Sequence, residues 1–211
     1  MKLAVLGSTG RTGKLVLQHA LDRGHHVNAL ARRLDAVTIV HPRLALFQAD
    51  VHDSAAINAA LAGCDGVVSA LGIGASRKPT TVYSEGIRNV LRAMSAHNVD
   101  RLSVISASPA GDRSAQPLLD RRLMMPILDQ FFGASYQDMR RMEGVLSASN
   151  VNWVSLRPPR LLDRPSRGTY RVQPDLPLPN ARQITYSDLA AALIDVLDRP
   201  DLYRHVCSIA N

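Results

Sequence analysis

The chain has 211 residues, of which 46% are hydrophobic, a size and composition that suit one globular domain of normal core size. No apolar run approaches the roughly 18 residues of a membrane-spanning helix. The formal net charge is +7, but no basic stripe with interleaved aromatics and no helix-turn-helix signature accompanies it. The basicity therefore reads as an arginine-biased composition around an anionic small-molecule site, not as a nucleic-acid or membrane surface.

The first element is an apolar run, Leu3 to Leu6, which reads as a buried parallel strand. Nothing resembling a signal peptide precedes it, so a cytoplasmic location is expected. Gly7, Gly10 and Gly13 follow at GxxGxxG spacing, a helical pattern runs from about Thr12 to Arg23, and Gly24 stops it. His26 to Ala31 is then a second strand. Strand, glycine turn, helix, strand is the unit that binds a dinucleotide. Gly7 permits the tight turn, Gly10 admits a pyrophosphate, and Gly13 lets the helix pack closely. The second strand ends Ala31-Arg32-Arg33. An NAD site places a carboxylate there for the ribose 2′-hydroxyl, whereas arginines clamp a 2′-phosphate, so NADPH is expected over NADH.

Leu44 to Ala49 reads as the third strand, ending at Asp50, and Ser54 as the cap of a helix to about Leu61. Gly66 to Leu71 is a fourth strand, Thr80 to His97 a long helix, and Leu102 to Ser106 a fifth strand. A helix over Tyr136 to Ser149, a strand over Trp153 to Leu156, a helix capped by Ser187 and a short strand near Val206 to Ile209 complete the series. This βαβ rhythm predicts an α/β fold: a doubly wound parallel sheet, the Rossmann fold, filling residues 1–211 as a single domain. Ligands in such sheets bind beyond the carboxyl ends of the strands. That rule gathers Gly7 to Gly13, Arg32, Asp50, Val51, Leu71, Gly72, Ser106 to Pro109, and Arg157 to Arg160. Six of the twelve prolines fall between Pro158 and Pro179. Pocket-walling loops are expected over about 107–135 and 157–182.

Cys64 and Cys207 are far apart and form no CxxC, so both read as structural thiols. The seven histidines make no HxxxH or HExxH pattern, and the adjacent His25 and His26 would face opposite sides of a strand. No metal site is expected.

The turn Gly7-Ser8-Thr9-Gly10-Arg11-Thr12-Gly13 resembles that of the atypical short-chain dehydrogenases/reductases with an NAD(P)H-binding domain. The stretch from Pro79 to Val90, with Ala93 to His97, Arg157 to Arg160, Asp163, Pro165, Gly168 and Tyr170, looks like their flavin reductase / biliverdin-IXβ reductase branch. The resemblance implies a monomer that uses NADPH and passes hydride to flavins or similar planar acceptors. FMN, FAD or riboflavin would then be substrate and not a tightly bound group. It further implies a phosphate site of Gly7, Ser8, Thr9, Gly10, Arg11, Thr12 and Gly13, with Arg32 and Arg33 at the 2′-phosphate. Asp50 and Val51 would flank the adenine, Leu71 and Gly72 would lie along the cofactor, and Ser106 with Pro158 and Pro159 would border the nicotinamide. Three departures stand out. Ala107 occupies the place of the family's serine, with Ser106 and Ser108 on either side. Arg160 occupies the place of a histidine. The stretch from Pro109 to Phe132 matches poorly.

Classical short-chain dehydrogenases pair a tyrosine with a lysine four residues on. The nearest analogue here is Tyr136 with Arg140, on one helix face, where arginine could still stabilise a phenolate. Ser106, Ser108 and Tyr136 are the candidate catalytic groups. Arg160 and Arg157 are candidates for an acceptor's anionic tail, with a structural salt bridge as the other reading of Arg157. A flavin needs little acid help, because water can supply its proton. Two further readings use the same fold: a non-catalytic NADP(H) sensor, and an isomerase or epimerase.

Overall fold

The computed structural model describes residues 1–74, 76, 78–111 and 125–211. An eight-stranded sheet runs in the order β3-β2-β1-β4-β5-β6-β10-β8. The strands are β1 (Lys2–Leu6), β2 (His26–Ala31), β3 (Leu44–Gln48), β4 (Gly66–Ser69), β5 (Arg101–Ile105), β6 (Asn152–Arg157), β8 (Arg171–Pro174) and β10 (His205–Ala210). All neighbours in it pair in parallel except β8, which runs antiparallel on the edge against β10. Strand order reverses between β1 and β4, so the carboxyl ends of these two strands open the crevice of a doubly wound sheet.

Helix α1 (Arg11–Asp22) packs with α5 (Tyr186–Asp195) on one face. Helices α2 (Ser54–Leu61), α3 (Val82–His97) and α4 (Met125–Ser147) cover the other. The strands serve both layers by alternation: Leu3 and Val5 face α1 and α5, while Ala4 and Leu6 face α2 to α4. Burial on both faces is why β1 reads as an unbroken apolar run.

Several expected boundaries shift for identifiable reasons. Asp53, not Ser54, caps α2, accepting from the N–H groups of Ala55 and Ala56. Thr185, not Ser187, caps α5, accepting from Asp188 N–H. Helix α4 begins at Met125, well before Tyr136. The proline-rich stretch holds two short strands, β7 (Arg160–Leu162) and β9 (Gln183–Thr185), which pair in parallel as a second sheet. The expected pocket loop from 107 onward lies outside the described residues over 112–124.

Both cysteines are buried and free, and burial pushes the Cys207 thiol up to about 12. No described helix is long and apolar enough to cross a membrane.

The β7–β9 segment is tied to the body through Asp188. This buried carboxylate accepts from Ser166 Oγ (2.5 Å), Thr185 Oγ1 (2.7 Å), Asn211 Nδ2 (2.9 Å) and the N–H groups of Arg167 and Gly168 (3.0 and 3.1 Å). Burial alone would raise its pKa, but the hydrogen bonds outweigh burial and hold it at about 2. The folded-state pKa is depressed, so the stabilisation is complete above the unfolded pKa and is lost as pH falls through the folded one. Asp188→Asn is expected to lower stability by about 1–2 kcal/mol at neutral pH. The urea midpoints of wild type and variant should converge between about pH 4 and pH 2. A gap that persists unchanged to the acid end would remove the carboxylate from this role.

Candidate functional site

A cavity of about 830 Å³ runs along the carboxyl ends of β1, β2, β4, β5 and β6. At its base lies the turn after β1. Gly7 has φ +74°, and a Cβ added there would sit 2.4 Å from the Ala70 carbonyl oxygen beyond β4. A Cβ on Gly13 would lie 2.0 Å from the Gly7 carbonyl oxygen. Gly10 is different: its Cβ would meet only that oxygen, at 3.3 Å, and the space beyond is cavity. Gly10 is also the N-cap of α1, with no side-chain cap and no acidic residue in the first turn. The first-turn N–H groups are thereby left for an anion. The cradle fits the pyrophosphate of a dinucleotide, with Thr9, Arg11 and Thr12 around it.

Ser8 does not join them. It is wholly buried, and its hydroxyl donates to the Leu30 carbonyl (2.8 Å), pinning the turn to β2. Gly13 likewise serves packing and does not line the cavity. Arg11 reaches across the mouth: it donates to Asp163 (3.4 Å) and lies 5.7 Å over the Tyr186 ring. That ion pair is solvent-exposed, so its energetic value is small. Arg32 lines the cavity at the end of β2, whereas Arg33 does not. Asp50 accepts from the His52 N–H (3.0 Å), a tight local turn that brings Asp50, Val51 and His52 to the wall. Leu71 and Gly72 continue along it, joined by Ile73 and Gly74.

At the other end the wall is Ser106, Ala107, Pro158 and Pro159, with Phe132, Tyr136, Met139, Leu161 and Tyr186. Ser106 is buried, and among the described residues its Oγ has no hydrogen-bond partner. Ser108 is not brought in. It opens a short 3₁₀ turn, its N–H donates to the Pro158 carbonyl (3.0 Å), and it does not line the cavity. Tyr136 lines the cavity, and its expected partner Arg140 does not. Arg140 Nε donates to the backbone carbonyl of Tyr136 (3.3 Å), and Arg140 lies off the cavity.

Of the two candidates for an acceptor's anionic tail, Arg157 takes the other reading, the structural salt bridge. Arg157 forms a two-pronged ion pair with the buried Glu143, at 3.0 and 2.5 Å, and Ser155 Oγ donates to the same carboxylate (3.1 Å). Its guanidinium is committed to holding α4 on β6. Arg160 is exposed on β7, between Pro159 and Leu161, which both line the cavity. Strand alternation turns it outward.

Tyr83, Met139 and Tyr186 are wall residues to which the sequence assigned no role, and Phe132 falls in the stretch 107–135 expected to wall the pocket. Tyr83 is almost fully buried at the start of α3, and its phenol oxygen accepts from the Ile73 N–H (3.3 Å). Its backbone N–H donates to Asp138 of α4 (2.9 Å).

Over 208 residues the chain is 24% identical to YwnB of Bacillus subtilis, covering 95% of this chain and 94% of that one. It superposes with a TM-score of 0.83 on a short-chain dehydrogenase/reductase from Veillonella parvula solved in complex with NADP, at 19% identity, covering 100% of this chain and 94% of that one. A Streptococcus pneumoniae protein provisionally named an NADH-flavin reductase superposes at 0.79 with 23% identity, covering 100% of this chain and 99% of that one. The two structural likenesses show a Rossmann fold. The family described as NAD(P)H-binding matches residues 7–200, and with the glycine cradle at the head of that match, the chain belongs to this NAD(P)H-binding family.

Proposed function

We propose that the chain is an NADPH-dependent reductase that passes hydride to a flavin or a similar planar conjugated acceptor. One observation carries this reading. The cavity runs unbroken from Arg32, past the glycine cradle, to a chamber walled by Phe132, Tyr136, Met139 and Leu161. A dinucleotide has its cradle at one end, and a flat apolar ring has its walls at the other. When bound, the cofactor would supply the hydride. The chain's own part is placement. The first-turn N–H groups of α1 hold the pyrophosphate, Arg32 holds the 2′-phosphate, and Asp50 and Val51 flank the adenine. Ser106, Pro158 and Pro159 border the reacting end, and the apolar wall excludes water. Arg140 Nε donates to the Tyr136 backbone carbonyl and Arg140 lies off the cavity, which supports an acceptor that needs no dedicated acid.

The test is to mix the purified protein with NADPH and riboflavin and follow the nicotinamide absorbance band. Consumption of NADPH matched by flavin reduction is expected. Tight NADPH binding with no consumption would replace this reading by the sensing one. For the cofactor half, Arg32→Ala is expected to weaken NADPH by about 1–3 kcal/mol, the value of a charge-assisted phosphate contact, and to leave NADH within about twofold. An equal loss for both cofactors would take the 2′-phosphate away from Arg32.

A further inference from the structure

Tyr83 is a polar group of the cavity wall that the reading above leaves unused. Its side chain is 3% exposed, and its oxygen end meets the Gly72–Gly74 loop, which lines the cavity. The backbone around it is fixed. Asp138 accepts from the N–H groups of Tyr83 and Ser84 and from the Ser84 hydroxyl. Asp138 stands on the same helix as Tyr136 and Met139, which wall the acceptor chamber. The phenol therefore lies between the cofactor-side loop and the acceptor-side helix, and α4 holds it there.

Its hydrogen-bond accounting points outward. A phenol has one donor and can accept as well. The Ile73 N–H uses one acceptor site, the buried Ser135 hydroxyl of α4 stands beside the phenol oxygen as a second donor, and the O–H proton remains to be donated. Burial, and then the nearby Asp138 carboxylate, push the phenol's pKa up against the pull of the Ile73 N–H and the Ser135 hydroxyl, so the group stays protonated through the neutral range. A rigid, permanently protonated donor beside an apolar chamber selects for one chemical feature, an exposed oxygen on an otherwise flat ring.

We propose that the Tyr83 hydroxyl recognises the acceptor by donating a hydrogen bond to a ring carbonyl oxygen, the feature shared by the flavin isoalloxazine and by quinones. This assignment rests on the reductase reading and names the group through which the acceptor is chosen.

The test is binding without turnover. Riboflavin is titrated into wild type and Tyr83→Phe with no cofactor present, followed by quenching of flavin fluorescence. Menadione is the second arm, followed by quenching of the protein's own fluorescence. Losing one neutral hydrogen bond should weaken both probes, or the one that matches the site, by about fivefold to tenfold. NADP⁺ affinity should stay within about twofold. If Tyr83 served only to tether Ile73, loosening the Gly72–Gly74 loop would weaken NADP⁺ as much as the acceptor, and that result overturns the proposal. So does an unchanged affinity for both probes. Wild type carries an independent check that needs no variant. Phenazine, a flat tricycle without a carbonyl, should bind more weakly than riboflavin, and Tyr83→Phe should bind it as wild type does. Phenazine binding equal to riboflavin in wild type also overturns the assignment. If wild type binds NADP⁺ but neither carbonyl probe, the acceptor reading itself falls. An effect confined to quinone or to flavin identifies which of the two the site was built for.

Discussion

Gly10→Val is expected to abolish NADPH binding while leaving a folded domain, and Gly13→Ala is expected to damage the fold itself. The two glycines are three residues apart in one turn, yet their surroundings are opposite. A Cβ at Gly13 would lie 2.0 Å from the Gly7 carbonyl oxygen, a backbone atom that cannot swing aside. The turn must open, with loss of the close packing of α1, at a cost of about 3 kcal/mol or more. At Gly10 the same atom is 3.3 Å away, and the backbone at φ −72° suits any residue. The remaining space is the cavity. Valine there should cost the fold no more than about 1 kcal/mol. It fills the cradle where a pyrophosphate would approach the first-turn N–H groups, and at least a hundredfold loss of NADPH affinity is expected. Thermal unfolding and NADPH titration on both variants separate the two effects. A folded Gly10→Val protein with normal NADPH affinity would put the dinucleotide elsewhere. A Gly13→Ala protein as stable as wild type would show that the turn relaxes more cheaply than its geometry implies.

The cradle was legible in the sequence because its cause is local. Three glycines, the strand before them and the helix after them lie within twenty-two residues. The ends of the strands were legible for the same kind of reason, since a doubly wound sheet assigns them to the crevice by topology alone. What sequence could not do was choose between neighbours. Ser8 and Thr9 are adjacent and similar, but Ser8 turns inward to Leu30 and Thr9 faces the cavity. Pro159 and Arg160 divide in the same way, because β7 is three residues long amid prolines and shows no alternation to read. Arg157 was ambiguous until its partner appeared, and Glu143 lies fourteen residues away on another element. Tyr83 and Met139 carry a burial signal in their helical periodicity. Nothing in that signal separates a buried face from a face that walls a cavity. Asp138 shows only a local pair with Arg141 three residues on, and its capping partners Tyr83 and Ser84 are more than fifty residues distant.

That carboxylate carries the largest stability effect expected outside the glycine turn. Thr81, the N-cap of α3, makes no side-chain cap, and Thr80 Oγ1 accepts only from the Val82 N–H (3.2 Å), so the next two N–H groups need an acceptor from outside the helix start. Asp138 supplies the cap from across the layer. It is fully buried, accepts from Tyr83 N–H (2.9 Å), Ser84 N–H (3.3 Å) and Ser84 Oγ (2.5 Å), and pairs with Arg141 (3.2 Å). A negative charge at a helix N-terminus is also favoured by the helix dipole. Asp138→Ala removes the shared acceptor and leaves two backbone N–H groups and a hydroxyl buried without one. The expected cost is about 3–5 kcal/mol, the range for breaking a buried charged network. Asp138→Asn keeps an acceptor oxygen and loses the charge, so about half of that stability should return. Urea midpoints on the three proteins test the ordering. The same network holds Tyr83 and the α4 wall at the cavity, so both variants should also weaken riboflavin more than NADP⁺, with alanine the worse. Stability within about 1 kcal/mol of wild type in Asp138→Ala would mean that α3 finds its cap elsewhere. The wall that Tyr83 and Tyr136 share would then have to be held by packing alone.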